Sequence, residues 1–201
     1  MRLLCWSLSL FCAVAVADEV SELHTMLAKT THLQAAFIQQ QFDEAGELTE
    51  ESRGQMALQQ PNLVRWFVAS PFEQLLLGDG QWIWQYDIEL EQVVRRPYPE
   101  DASQTPLLVF TESEESLRQN YAIALSEDGC FVLSPRDEQR LFSEMSLCFS
   151  GEQLTQFSLL DGFGQRTHVA LEVIDGAFDG HQFQFDLPAE AELIIDDGYV
   201  R

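Results

Sequence analysis

From Leu33 onward the chain alternates apolar and polar residues in short runs, with turn signals between them. Leu33, Ala35 and Phe37 share one face of the first run, and Gly54, Met56 and Leu58 share one face of the next. Alternation with a period of two marks a half-buried strand. One stretch breaks the rule. In "QQPNLVRWFVASPFEQLLLGDGQWIWQYD" (Gln59 to Asp87) residues of both parities are apolar, among them Trp66, Phe67, Phe72, Leu75, Leu76, Leu77, Trp82, Ile83 and Trp84. Both faces of that region therefore need a cover, whether a helix, a second sheet or a ligand.

Further strand patterns surround it. "NLVRWFV" follows Pro61-Asn62, "FEQLLLG" runs into Asp79-Gly80, a strong hairpin signal, and "QWIWQY" returns from it. "EQVVRR" completes a first group, and "YAIALS", "CFVLSP", "EMSLCFS", "LTQFSLLD", "THVALEVI" and "HQFQFDL" form a second. About eleven strands with hairpin-like connections predict one large antiparallel sheet. Helical signals are few. "DEVSELHTMLAKTTHL" sets Val20, Leu23 and Leu27 at helical spacing behind Asp18 and Glu19, where the helix dipole favours acids. "TPLLVF" (Thr105 to Phe110) opens on Thr-Pro, a helix start, and continues with four large apolar residues. Two helices cover the inner face of so wide a sheet only if it curls around them. Curling leaves an open half-barrel with an apolar lining, and the mouths of such barrels are common ligand sites.

The N-terminus "MRLLCWSLSLFCAVAVADEV" carries Arg2, an apolar run from Leu3 to Val16, and the small-x-small pattern Ala15-Val16-Ala17. It predicts a signal peptide over residues 1–17, too short for a membrane span, with a retained anchor helix as the alternative. Cys12 follows Phe11, where a lipid-attachment site needs a small residue. The expected mature chain, residues 18–201, forms a single domain: no repeat, linker or low-complexity tract divides it. Without Arg2 it sets 10 basic residues against 33 acidic ones, and nucleic acid and anionic membrane surfaces would both repel it. The charge serves solubility, or steers the protein toward a basic partner.

His24, His32, His168 and His181 lack metal-site spacing, and the sequence contains no GxSxG, Walker loop, GxGxxG or paired CxxC. Neither an enzyme nor a cofactor is expected. Cys130 and Cys148 are the cysteines beyond the signal peptide, and an exported pair suggests a disulfide. In "CFVLSP" Phe131 and Leu133 take one face and leave Cys130 on the other; in "EMSLCFS" Leu147 and Phe149 leave Cys148 on the other. On neighbouring antiparallel strands both sulfurs would meet on the outer face.

"QQPNLVRW", "PFEQLLLGDGQWIWQYDIELEQV", "TPLLVF", "FVLSP" and "LTQFSLLD", in this order and spacing, resemble the LolA family of periplasmic outer-membrane lipoprotein carriers. The resemblance implies a mainly β fold with an α-helical lid, an incomplete antiparallel β-barrel of about eleven strands. It implies a carrier that takes acylated lipoproteins from an inner-membrane ABC transporter and passes them to a LolB-like outer-membrane acceptor. It further implies a cavity wall of Met56, Leu58, Val64, Trp66, Leu75 and Leu77, a lid of Leu107, Leu108, Val109 and Phe110, and a monomer. In the relatives the motif around Pro61 reads Arg-Pro-Asn-Leu-Phe; here Gln60 stands at the arginine, which is taken to latch the empty lid. The expectation is a lid held less firmly, unless Arg65, Arg95 or Arg96 substitutes. The alternatives for single features are a permanently buried "LLVF" helix, a Trp66 that is core only, and structural roles for Trp82, Trp84 and Tyr86. A lipid sensor or acceptor of the same fold, and a hydrolase for which no nucleophile can be named, are the competing functions.

Overall fold

Eleven strands carry most of the alternating runs: β1 (His32–Phe42), β2 (Leu48–Gln59), β3 (Leu63–Ser70), β4 (Gln74–Asp79), β5 (Trp82–Asp87), β6 (Gln92–Pro97), β7 (Tyr121–Leu125), β8 (Phe131–Pro135), β9 (Glu144–Ser150), β10 (Gln153–Leu160) and β11 (Arg166–Val173). The computed structural model describes residues 18–30, 32–98, 106–137, 141–174 and 179–196; the expected signal peptide and Thr105 lie outside them. A further strand, β12 (Glu192–Ile195), completes a twelve-stranded sheet in the order β12-β6-β5-β4-β3-β2-β1-β11-β10-β9-β8-β7. The sheet does not close on itself, since β12 and β7 lie at its two edges. All pairings are antiparallel except that of β12 with β6, so the expected purely antiparallel sheet gains one parallel edge.

Side-chain turns set the hairpins. At the β1–β2 turn the Asp43 carboxylate accepts hydrogen bonds from the Ala45 and Glu47 amides, at 3.0 and 2.9 Å. At the β4–β5 turn the Asp79 carboxylate accepts from the Gln81 and Trp82 amides, and Gly80 takes the positive φ of 91° that this turn requires.

The helix α1 (Glu19–Lys29) starts as its sequence predicts, with Asp18 as N-cap accepting from the Val20 amide. Its Leu23 and Leu27 are buried against the face of the sheet that carries Leu33, Ala35, Phe37, Met56, Leu58, Val64 and Trp66. The same core continues through Leu133, Leu147, Leu154 and Val169 on the other half of the sheet. "TPLLVF" becomes a 3-10 helix over Pro106–Thr111 rather than an α-helix. A short helix α2 (Glu114–Asn120), capped by Ser113, follows it and leads straight into β7.

The expected strand "HQFQFDL" is not in the sheet. Gly180–Phe183 forms a 3-10 turn capped by Asp179 and lies against β3 and β4. Phe185 stacks on Trp84, with ring centroids 4.7 Å apart, and meets Tyr86 edge-on. The alternation of Phe183 and Phe185 is a pattern for covering a sheet, and the backbone edge of β6 is taken by β12 instead. This segment answers the demand for two covers. Trp84 and Tyr86 pair in register with Leu77 and Leu75, so all four share the outer face that the C-terminal segment packs on. Arg95 lies over Trp82 and Trp84 on the same side, 4.3 and 5.5 Å from their centroids, and the Asp79 carboxylate accepts the Trp84 indole proton at 2.8 Å. These contacts fix the tryptophans of β5 on the outer face.

Cys130 and Cys148 are joined by a disulfide, with Cα atoms 4.4 Å apart. Phe131 pairs with Leu147 one position inward on β8 and β9, and both are buried. The neighbouring sulfurs therefore meet on the opposite, outer face.

Candidate functional site

The inner face is organised around Trp66. Its indole stacks on the Phe37 ring, with centroids 3.8 Å apart and planes 16° apart. It meets Phe157 of β10 edge-on at 6.1 Å, and Phe157 meets Phe110 of the lid edge-on at 5.4 Å. A run of aromatic contacts thus joins the sheet to the segment that covers it. The stack depends on a glycine. Phe37 pairs in register with Gly54, and a Cβ there would collide with the Phe67 carbonyl and come within 2.7 Å of the Phe37 ring.

Register decides which of the expected wall residues face the lid. Trp66 pairs with Met56 on one side and Leu76 on the other, and Val64 pairs with Leu58 and Gly78. Met56, Leu58, Val64 and Trp66 therefore lie together on the inner face. Leu75 and Leu77 do not. They pair with Phe67 and Arg65 and face outward; Leu76 is the β4 residue that packs with the inner core. Three successive leucines carry no parity of their own, and only the register with β3 fixes which one points inward. Tyr98, beside Gly78, adds a phenol to this face, and burial pushes its pKa up to about 12.

The segment Pro106–Thr111, the expected lid, packs onto this wall. Leu108, Val109 and Phe110 are 3 %, 0 % and 3 % exposed, and Leu107 packs partly buried at the edge of the same core. Its own turn is held by the Thr111 hydroxyl, which donates to the Leu108 carbonyl at 2.9 Å. Gln60, in the β2–β3 turn, supplies the link to the sheet. Its amide nitrogen donates to the Phe110 carbonyl at 3.3 Å and to the Leu27 carbonyl of α1 at 3.2 Å. One neutral side chain thus bridges α1 and the lid. The arginines considered as substitutes are engaged elsewhere. Arg65 stacks on Phe67, Arg95 covers the β5 tryptophans, and Arg96 donates to Gln85 at 3.1 Å. The bridge from Gln60 to Leu27 escapes the sequence, because nothing in the local pattern places the end of α1 beside the β2–β3 turn.

The lining of this face is apolar. No group of His, Cys, Asp or Glu suited to a metal ion, and no helix long and apolar enough to cross a membrane, occurs among the described residues. The wall and lid present aliphatic and aromatic carbon to one another, and the Gln60 link to the lid runs through one backbone carbonyl, that of Phe110.

The chain matches the family model "Outer membrane lipoprotein carrier protein LolA" over residues 28–186. It is 33% identical over 196 residues to the outer-membrane lipoprotein carrier protein of Pseudomonas aeruginosa, covering 94% of each chain. It is 31% identical over 210 residues to the protein of that name from Chromohalobacter salexigens, covering 98% of this chain and 100% of the relative. The crystal structure of an uncharacterized conserved protein from Thermus thermophilus shares the fold, with a TM-score of 0.55 at 14% identity, over 89% of this chain and 100% of that one. With more than half its length matched by the family model, the chain belongs to the outer-membrane lipoprotein carrier family, LolA.

Proposed function

We propose that the protein is a periplasmic carrier, without catalytic activity, that binds the acyl chains of outer-membrane lipoproteins between the lid and the inner face of the sheet. The observation that carries this reading is the packing of Leu108, Val109 and Phe110 against the wall of Met56, Leu58, Val64, Trp66 and Leu76. An acyl chain in water costs roughly 0.8 kcal/mol per CH₂, on the order of 10 kcal/mol for a long one. A carrier must match that with apolar surface, and must hide the same surface when empty. A lid that is apolar below and joined to the β2–β3 turn by one hydrogen bond from Gln60 meets both needs, because a neutral hydrogen bond opens at about 1 kcal/mol.

The same reading assigns residues 1–17 to a signal peptide and 18–201 to the single carrier domain. It places an inner-membrane releasing transporter upstream and a LolB-like acceptor downstream, with docking surfaces that complement a mature chain of 33 acidic and 10 basic residues. Mass spectrometry of what copurifies with the protein from its periplasm tests it. Acylated lipoprotein in the purified complex is the expected result. A protein that copurifies with no lipid-modified species when its export partners are intact would overturn it.

A further inference from the structure

The solvent side of the two helices carries a second connection, separate from Gln60. Arg118 of α2 reaches across to α1: its guanidinium donates to both Asp18 carboxylate oxygens and, at 3.4 Å, to the Ser21 hydroxyl. The same guanidinium donates to Glu114, one turn back on α2, at 2.9 Å. Ser21 donates to Glu114 at 2.6 Å, closing a ring of contacts between the helices, and His24 lies 3.9 Å from the other Glu114 oxygen. Isolated surface ion pairs contribute little, because ordering two long side chains costs as much as they gain. This one differs in three respects. Arg118 engages Asp18 with two nitrogens, a geometry that fixes direction as well as distance. Asp18 is already ordered as the N-cap of α1. Glu114 is already ordered by Ser21.

Both helices are anchored in one core, which includes the fully buried Leu117 of α2. Leu23 and Leu27 anchor α1 in the core, and Lys29 pairs with Glu152 of the β9–β10 turn at 2.8 Å. α2 begins shortly after the lid segment ends at Thr111, so its first turn moves with the lid or holds it back. Gln60 sits at the C-terminal end of α1, and Arg118 acts at the N-terminal end.

We infer that Arg118 is a positioning residue, an ionic latch in the last turn of α2 that ties this helix, through Asp18 and its own first-turn Glu114, to α1 and keeps the lid closed alongside the neutral latch at Gln60. The consequence for cargo rests on the carrier reading, but the latch itself is a property of the empty protein. An ionic latch is screened by salt, and a hydrogen bond from a neutral amide is not.

Hydrogen exchange of the empty, full-length protein over Leu107–Phe110 provides the test. Arg118→Gln is expected to speed lid exchange about threefold at low ionic strength, within the range of a good exposed pair. Asp18→Asn keeps a strong N-cap while removing the charge, and is expected to match that effect without adding to it in the double variant. Raising the salt to about 0.5 M should bring the wild-type lid to the rate of Arg118→Gln and leave the variant unchanged. Arg118→Lys, a point charge without the fork, should recover part of the protection. Wild-type lid exchange in both variants, or faster exchange confined to the amides of α2, would overturn the latch. Failure of the carrier reading would instead appear as absent lipoprotein binding with these exchange rates intact.

Discussion

The Gln60 side-chain amide and the Phe110 carbonyl are 3.3 Å apart, and through this contact the β2–β3 turn holds the lid. The family resemblance implies an arginine there, with five donors and a permanent charge; glutamine offers two donors and no charge. Gln60→Ala is expected to lower the free energy of lid opening by about 1 kcal/mol, seen as roughly fivefold faster exchange over Leu107–Phe110. Gln60→Arg should slow that exchange and speed delivery to the acceptor. Lid exchange as slow as that of the core strands, and unmoved by either change, would show that Gln60 merely caps carbonyls.

Gly54 supports the Phe37–Trp66 stack by being absent as a side chain. Gly54→Ala places a methyl against the Phe67 carbonyl and the Phe37 ring and should cost about 1–3 kcal/mol in urea unfolding. Trp66→Ala should cost about 3–5 kcal/mol and weaken lipoprotein uptake further than the lost stability explains. Leu108→Glu, at the lid, should abolish uptake. Neutral outcomes at both Gly54 and Trp66 would separate the stack from both stability and function.

The pH dependence has two windows. Burial, with Arg166 as the lesser cause, holds His168 below its ordinary value of 6.5. The folded protein therefore binds fewer protons than the unfolded chain as pH falls from 6.5 toward that lowered value, and stability declines there. His168→Gln should flatten this limb. The hydrogen bond from Arg118 holds Asp18 below its ordinary 3.8, and those from Ser21 and then Arg118 hold Glu114 below 4.5. Their contribution is present above those values and lost as pH falls through the lowered ones. Lid exchange, corrected for its intrinsic pH dependence, should accelerate in this acid window in wild type and much less in Arg118→Gln, where His24 still neighbours Glu114.

Cys130 and Cys148 are 18 residues apart, and closing such a loop stabilises by roughly 3 kcal/mol in the chain-entropy model. The Cys130→Ser, Cys148→Ser double variant should lose about that much in denaturant unfolding. It should keep its lid exchange rate, because the bridge lies on the outer face. A variant as stable as wild type in reducing and oxidising buffer alike would refute the assignment.

Legibility in the sequence follows the physics of each element. Leu33, Ala35 and Phe37 reveal both strand and inner face, because alternation fixes parity. Leu75, Leu76 and Leu77 hide theirs, and the inward residue follows only from the pairing of Leu76 with Trp66. "HQFQFDL" alternates as a strand does, yet alternation reports which side chains are covered and not whether the backbone joins a sheet. β12 escapes notice because "ELII" is four residues long and pairs in parallel with β6, far from it in sequence. α2, seven residues capped by Ser113, is too short for helical periodicity to stand out. The position of Gln60 is readable, but its second acceptor on α1 is a tertiary fact.

Acyl chains, on the proposed function, take the place of the lid segment against the inner face of the sheet. Inner-membrane preparations carrying a lipid-modified lipoprotein, or the same protein without its acyl chains, are presented to the purified carrier, and soluble complex is measured. The account predicts a soluble complex with the acylated form alone, lost in Leu108→Glu. Equal binding of acylated and unacylated forms would contradict it.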